Sequence, residues 1–127
     1  MESLAQVAQV TAADAGATMR AAGLRAPLAC DTPEDIAEHG ECFELRTADG
    51  GAGVFVLRRQ AGVLWVDGAG ARAPGSRLTA AGLALFVEVA RQTGCREVAF
   101  ETTRRGLVRE SQKHGYEVAG YIMRKAV

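Results

Sequence analysis

Apolar and polar positions change period several times along this chain, and each change marks an element. Ser3 to Val10 alternates weakly, which predicts a short edge strand. Thr11 then offers an N-cap hydroxyl, with Asp14 in the first turn of a helix running to about Ala22 and stopped by Gly23. Asp31 or Thr32 caps a second helix, with Pro33 in its first turn, Glu34 and Asp35 next, and Gly40 closing it. Cys42 to Thr47 alternates Phe43 and Leu45 with charged residues, as a half-buried strand does. Ala48-Asp49-Gly50-Gly51 is turn chemistry, Val54 to Leu57 an apolar strand, and Gln60-Ala61-Gly62 a second turn.

Val63-Leu64-Trp65-Val66 is apolar on both faces, which predicts a central strand covered on both sides. A glycine-rich stretch reads as a loop, and Thr79 to Thr93 as a helix. Leu78, Gly82, Leu85, Phe86 and Val89 share one stripe of it, and Gly94 stops it. Glu97 to Glu101 is a strand, Arg105 to His114 a short helix closed by Gly115, and Glu117 to Met123 a last strand. The order β-α-α-β-β-β-α-β-α-β predicts an α+β domain over residues 1–127: a mixed, mainly antiparallel sheet with helices on both faces. The strand-helix-strand unit from Val63 to Glu101 makes one parallel pair within it.

Three short stretches of this order are similar to the GNAT (Gcn5-related N-acetyltransferase) superfamily, chiefly from about Val63 to Arg124. Gln9-Val10-Thr11-Ala12-Ala13-Asp14 resembles the family's opening strand and the Asp near its first helix. Arg72-Ala73-Pro74-Gly75-Ser76-Arg77 stands where the family carries Arg/Gln-x-x-Gly-x-Gly/Ala. Lys113-His114-Gly115-Tyr116-Glu117-Val118-Ala119-Gly120 resembles the closing Lys-x-Gly-Phe-x-x-x-Gly. The resemblance implies acetyl-CoA as cofactor, with its pyrophosphate over Arg72, Gly75, Ser76 and Arg77, and an amine as acceptor. Elementary physics agrees with the place. A loop running into a helix presents unpaired N–H groups and the positive end of the helix dipole to an anion, and glycine permits close approach.

The sequence also departs from the pattern. Arg77 replaces the motif's last small residue, and Pro74 removes a backbone donor. Ser111 stands where the family commonly places a Tyr that protonates the leaving thiolate, and Arg104 where it often has an Asn. A serine hydroxyl is a much weaker acid than a phenol. Asp67 and Glu101, at the ends of adjacent strands, are the carboxylates left for a general base. The resemblance therefore supports three expectations: acetyl transfer to an amine, a catalytically degenerate binding or assembly module such as a bacteriophage virion or head-tail component, or an acyl-CoA binder without turnover.

Charge and composition sharpen these. Residues 1–67 hold five Lys/Arg against ten Asp/Glu, and residues 68–127 hold ten against five. That basic half balances the acidic one and falls short of a nucleic-acid footprint. Arg104, Arg105, Arg109 and Lys113 give the last helix a basic, solvated face. His39 and His114 share no ligand spacing with a cysteine, so no metal is expected. Cys30, Cys42 and Cys95 form no CxxC pair, and MESLAQVAQV lacks the basic and long apolar regions of a signal peptide. No apolar run approaches the roughly 20 residues that span a bilayer. A cytoplasmic location is expected, or a virion if the gene is a phage's. The family usually closes with two strands, and here Glu117 to Met123 is followed by only Arg124 to Val127. The apolar Glu117–Met123 strand, with its charges at the ends, is expected to leave an edge that a second copy or another protein covers.

Overall fold

The computed structural model describes residues 6–24 and 32–127. Nine elements follow in order: β1 (Gln6–Gln9), α1 (Ala12–Ala21), α2 (Pro33–Glu38), β2 (Glu41–Arg46), β3 (Ala52–Gln60), β4 (Val63–Ala73), α3 (Leu78–Gln92), β5 (Glu97–Phe100) and α4 (Arg105–Lys113). The strands form one sheet in the order β1-β2-β3-β4-β5. Its first four strands are antiparallel, and β4 runs parallel to β5. The architecture is the expected mixed α+β sheet.

The helix starts follow from their caps. Thr11 Oγ1 accepts the Asp14 N–H, and Thr32 Oγ1 accepts the Asp35 N–H, each at 3.1 Å. Thr32 is the second cap; the alternative, Asp31, lies outside the described residues, as do Ser3 to Ala5 of the first expected strand.

Strand alternation sorts the core onto two faces. Cys42, Val54 and Val56 pack with Ala15, Met19 and Ala37 under α1 and α2. Leu45, Phe55, Leu57, Leu64 and Val66 pack with Phe86 and Ala90 of α3. On that side Phe55 stacks on Phe43 at 5.7 Å and meets the Phe86 edge at 5.2 Å. β3 lies in mid-sheet and is buried from Ala52 to Leu57.

The structure corrects two expectations. The glycine-rich stretch after Val66 is not a loop: β4 continues through Gly68 and Gly70 to Ala73, still paired with β3. These glycines let α1 sit close on the sheet. A Cβ at Gly70 would lie 3.0 Å from Met19 Cα, and one at Gly68 would lie 2.8 Å from Met19 Sδ. Only Pro74 to Arg77 remains as the loop before α3, which begins at Leu78, one residue before the expected Thr79.

The second correction concerns the last strand. Glu117 to Met123 forms no strand, and the element order ends at α4. A strand exists only through the backbone it pairs with, and apolar alternation supplies no partner. Among the described residues β5 pairs with β4 alone, and the segment does not join its outer edge. Tyr121 and Met123 are each 91% exposed. α4 is tied back just before this segment: the Tyr116 ring meets Phe100 at 5.6 Å, and its hydroxyl donates to the Leu83 carbonyl of α3 at 3.0 Å.

Candidate functional site

The centre of the site is a bulge in β4. Val66 pairs with Leu57 and Gly68 with Val56, so Asp67 is an extra residue with no opposite number on β3. A second shift, between Ala52–Ala73 and Gly53–Ala71, makes Arg72 extra in the same way. β5 pairs with β4 only from Val63 to Val66. Beyond Asp67, β4 continues on β3 alone, while the chain after Phe100 turns off towards α4. The two parallel strands therefore part at Asp67. From there to Ala73 the β5-side edge of β4 has no paired strand among the described residues.

Asp67 and Glu101 stand at this fork. Arg58 of β3 holds the Asp67 carboxylate with two hydrogen bonds, Nε to Oδ2 at 2.8 Å and Nη2 to Oδ1 at 3.1 Å. Arg58 also donates to the Gln60 side chain and lies 5.7 Å from the Trp65 ring centroid. Its pKa is raised, first by the Asp67 hydrogen bond; the charges of Asp67 and Glu101 add to this against the effect of burial. Arg58 thus holds Asp67 directly and makes no hydrogen bond or ion pair with Glu101. Glu101 is exposed and Asp67 half-buried.

The four residues assigned to the cofactor divide. Gly75, Ser76 and Arg77 sit together at the start of α3. Arg72 does not join them. It donates to Glu44 Oε2 at 2.6 Å, Asp14 Oδ2 at 2.7 Å and Thr18 Oγ1 at 2.9 Å, binding α1 to the sheet. Glu44 is buried and also accepts Arg46 Nε at 2.6 Å. The Asp near the first helix, Asp14, is thereby engaged with the first residue of the Arg-x-x-Gly motif.

At α3 the N-cap residue, Arg77, makes no side-chain capping bond. The cap is supplied from elsewhere: the carboxylate of Asp49, in the β2–β3 turn, reaches across. Asp49 Oδ2 accepts Ser76 Oγ at 3.2 Å and the Arg77 N–H at 3.4 Å. Oδ1 accepts the Gly51 N–H at 3.2 Å and the Thr47 hydroxyl. The Thr47 hydroxyl and the Gly51 and Arg77 N–H groups, with Ser76, hold this carboxyl down at about 2. The Arg77 side chain is exposed and forms no ion pair among the described residues.

Ser111 is 3% exposed on α4, and its Oγ has no hydrogen-bond partner among the described residues. It is thus closed to solvent and without a hydrogen-bonded base beside it among the described residues. Among the described residues, no group of three His, Cys, Asp or Glu side chains is placed to hold a metal. A hollow of about 690 Å³ is lined by His39, Glu41, Arg58, Arg59 and Thr93 among others; it shares Arg58 with the fork and includes none of Gly75, Ser76 or Arg77. No helix among the described residues is long and apolar enough to cross a membrane.

Asp49, Arg58 and Tyr116 were not among the site residues read from the sequence. Asp49 carried a local signal, its place before two glycines, but that signal announces a turn and not what the turn touches. Arg58 carried none.

No protein-family model and no curated protein sequence matches this chain. Solved structures do. An acetyltransferase from Bacillus subtilis in complex with CoA superposes with a TM-score of 0.66 at 15% identity, over 94% of this chain and 79% of that one. A Trypanosoma brucei acetyltransferase matches with a TM-score of 0.60 at 15% identity, over 98% of this chain and 100% of its own. A GNAT family acetyltransferase from Streptococcus pneumoniae matches with a TM-score of 0.60 at 13% identity, over 96% and 98%. At such identities the likeness is one of fold: this chain has the fold of the GNAT acetyltransferases, in a divergent sequence.

Proposed function

We propose that this GNAT-fold chain transfers an acetyl group from acetyl-CoA to an amine, at the fork where β4 parts from β5. The observation that carries this reading is the open edge of β4 from Asp67 to Ala73, which leads directly into the start of α3. Unpaired strand groups are ready partners for the amides of an extended pantetheine arm. The start of a helix with an exposed arginine beside it suits the phosphates at the other end. A solved structure of the same fold is a complex with CoA.

Bound acetyl-CoA supplies the activated thioester. The chain's part is to hold the arm along β4 and to take the proton that the amine gives up as its C–N bond forms and the C–S bond breaks. Asp67, oriented by Arg58, is the base on this reading, and Glu101 the carboxylate that shares its field. Ser111 has no part in protonating the thiolate, which takes its proton from water. Calorimetry with acetyl-CoA and with CoA, followed by release of free thiol in the presence of polyamines, aminoglycosides and peptide amines, tests the proposal. Failure of both nucleotides to bind at millimolar concentration would sink it.

A second reading, a binding or assembly module without turnover, is favoured by two observations: the buried, unpartnered Ser111 hydroxyl and the Asp49 carboxylate over the phosphate donors. The virion version of it has no observation behind it. On either reading we propose that a second copy or another protein covers the C-terminal segment, where Val118, Tyr121, Ile122 and Met123 are exposed and the outer edge of β5 is unpaired among the described residues. A cytoplasmic location accords with the free thiols Cys42 and Cys95.

A further inference from the structure

The turn between β2 and β3 is pressed onto the loop before α3. A Cβ built at Gly75 would lie 2.6 Å from Gly51 Cα and 2.9 Å from Asp49 Oδ1. One built at Gly51 would meet Gly75 Cα at 3.0 Å. Two glycines thus meet backbone to backbone. The contact brings Asp49 to Ser76 Oγ and the Arg77 N–H, the donors a phosphate would use there. The turn has donors of its own for the same carboxylate, Thr47 Oγ1 and Gly51 N–H, so Asp49 is aimed before α3 is reached.

We propose that Asp49 is a built-in competitor for the phosphates of the nucleotide cofactor, and that the Thr47–Gly51 turn acts as a clasp that must yield before those phosphates can settle at α3. This rests on the acetyl-CoA reading above. A carboxylate and a phosphate oxygen need the same N–H and O–H donors, and their like charges repel at such range. An anion tethered in the same chain competes at an effective concentration on the order of millimolar. The clasp selects against free phosphate and pyrophosphate, which bring nothing else to displace it. A ligand that also gains contacts along β4 can open it, so Arg77, exposed beside the clasp, is left to meet the displaced anion's replacement.

The test measures affinity of the whole chain for three probes: CoA, inorganic pyrophosphate, and pantetheine, which has no phosphate. Asp49→Asn should bind CoA and pyrophosphate tighter than wild type by on the order of tenfold, the scale of one removed charge at a helix start. Pantetheine affinity should not change. Asp49→Glu keeps the charge and should show no gain. Equal or weaker CoA and pyrophosphate binding by Asp49→Asn overturns the proposal, and so does an equal gain in Asp49→Glu, which would mean a loosened turn and not a removed charge. Should Asp49→Asn fail to fold, Asp49→Ser, which retains a hydroxyl for the turn, is read by the same criteria. If no variant binds CoA while Asp49→Asn gains pyrophosphate, the acetyl-CoA reading fails and the competitor role of Asp49 stands.

Discussion

Arg58 and Asp67 are joined across β3 and β4 by two hydrogen bonds, of 2.8 and 3.1 Å, as diagonal neighbours: Arg58 pairs with Trp65, and Asp67 lies two residues further along β4. Asp67 thus stands both at the bulge, where β4 parts from β5, and in the pair that orients it as the candidate base. Asp67→Asn should lower kcat by about a hundredfold or more, as expected for a lost general base, and leave CoA affinity within about twofold. Because the pair is partly exposed, the accompanying loss of stability should be only about 1 kcal/mol. If Glu101→Gln has the larger effect on kcat, the roles of the two carboxylates are reversed.

Asp49 links stability to acid pH. Its carboxyl is held at about 2, below its ordinary value of 3.8, by hydrogen bonds to the charged form. A depressed carboxyl contributes stability above its unfolded value, and that contribution is lost as pH falls through the folded one. Wild type should therefore exceed Asp49→Asn in denaturant midpoint at pH 6, with the gap closing between about pH 4 and pH 2. A gap that persists undiminished at pH 2 would show that the charge of Asp49 is not what stabilises the turn.

Gly75→Ala should destabilise the fold by about 1–3 kcal/mol, the range for forcing an atom into a packed contact. Its new methyl would meet the backbone of Gly51, which cannot rotate away as a side chain can. Thermal unfolding measures it; an unchanged Tm would mean that the clasp already stands open in solution.

On α4 the expectation is inverted. Ser111→Ala should leave acetyl transfer intact and raise stability by up to about 1 kcal/mol, since it removes a buried hydroxyl that has no partner among the described residues. Tyr116→Phe should cost about 0.5–1.5 kcal/mol through the lost bond to the Leu83 carbonyl. Chemical unfolding of both variants checks the pair, and a destabilised Ser111→Ala would reveal a partner for Oγ.

Sedimentation should show self-association of the chain at micromolar concentration. Ile122→Glu, which places a charge in the exposed apolar segment, should shift it to monomer with no loss of Tm. A wild-type monomer under these conditions, with no partner retained on purification, would remove the assembly proposal.

The sequence by itself determined most of the elements and their order. Caps such as Thr11 and Thr32 and stops such as Gly23 and Gly94 act within a few residues of themselves, so they can be read locally, whereas the expected stripe of α3 holds only in part: its buried face is Gly82, Leu83, Phe86 and Ala90. Only the tertiary structure decided what lay beyond that range. Whether Gly68 and Gly70 form a loop or a strand depends on Met19, some 50 residues earlier, which needs the space a Cβ would fill. Whether Glu117–Met123 is a strand depends on a partner backbone, which alternation cannot supply. Arg72 and Gly75 belong to one short motif, yet the bulge sends Arg72 to α1 while Gly75 meets the β2–β3 turn. Asp49 announced a turn in the sequence and became the cap of a helix that begins 29 residues later, at Leu78. In each case the deciding atom lies far along the chain and close in space, which no local pattern encodes.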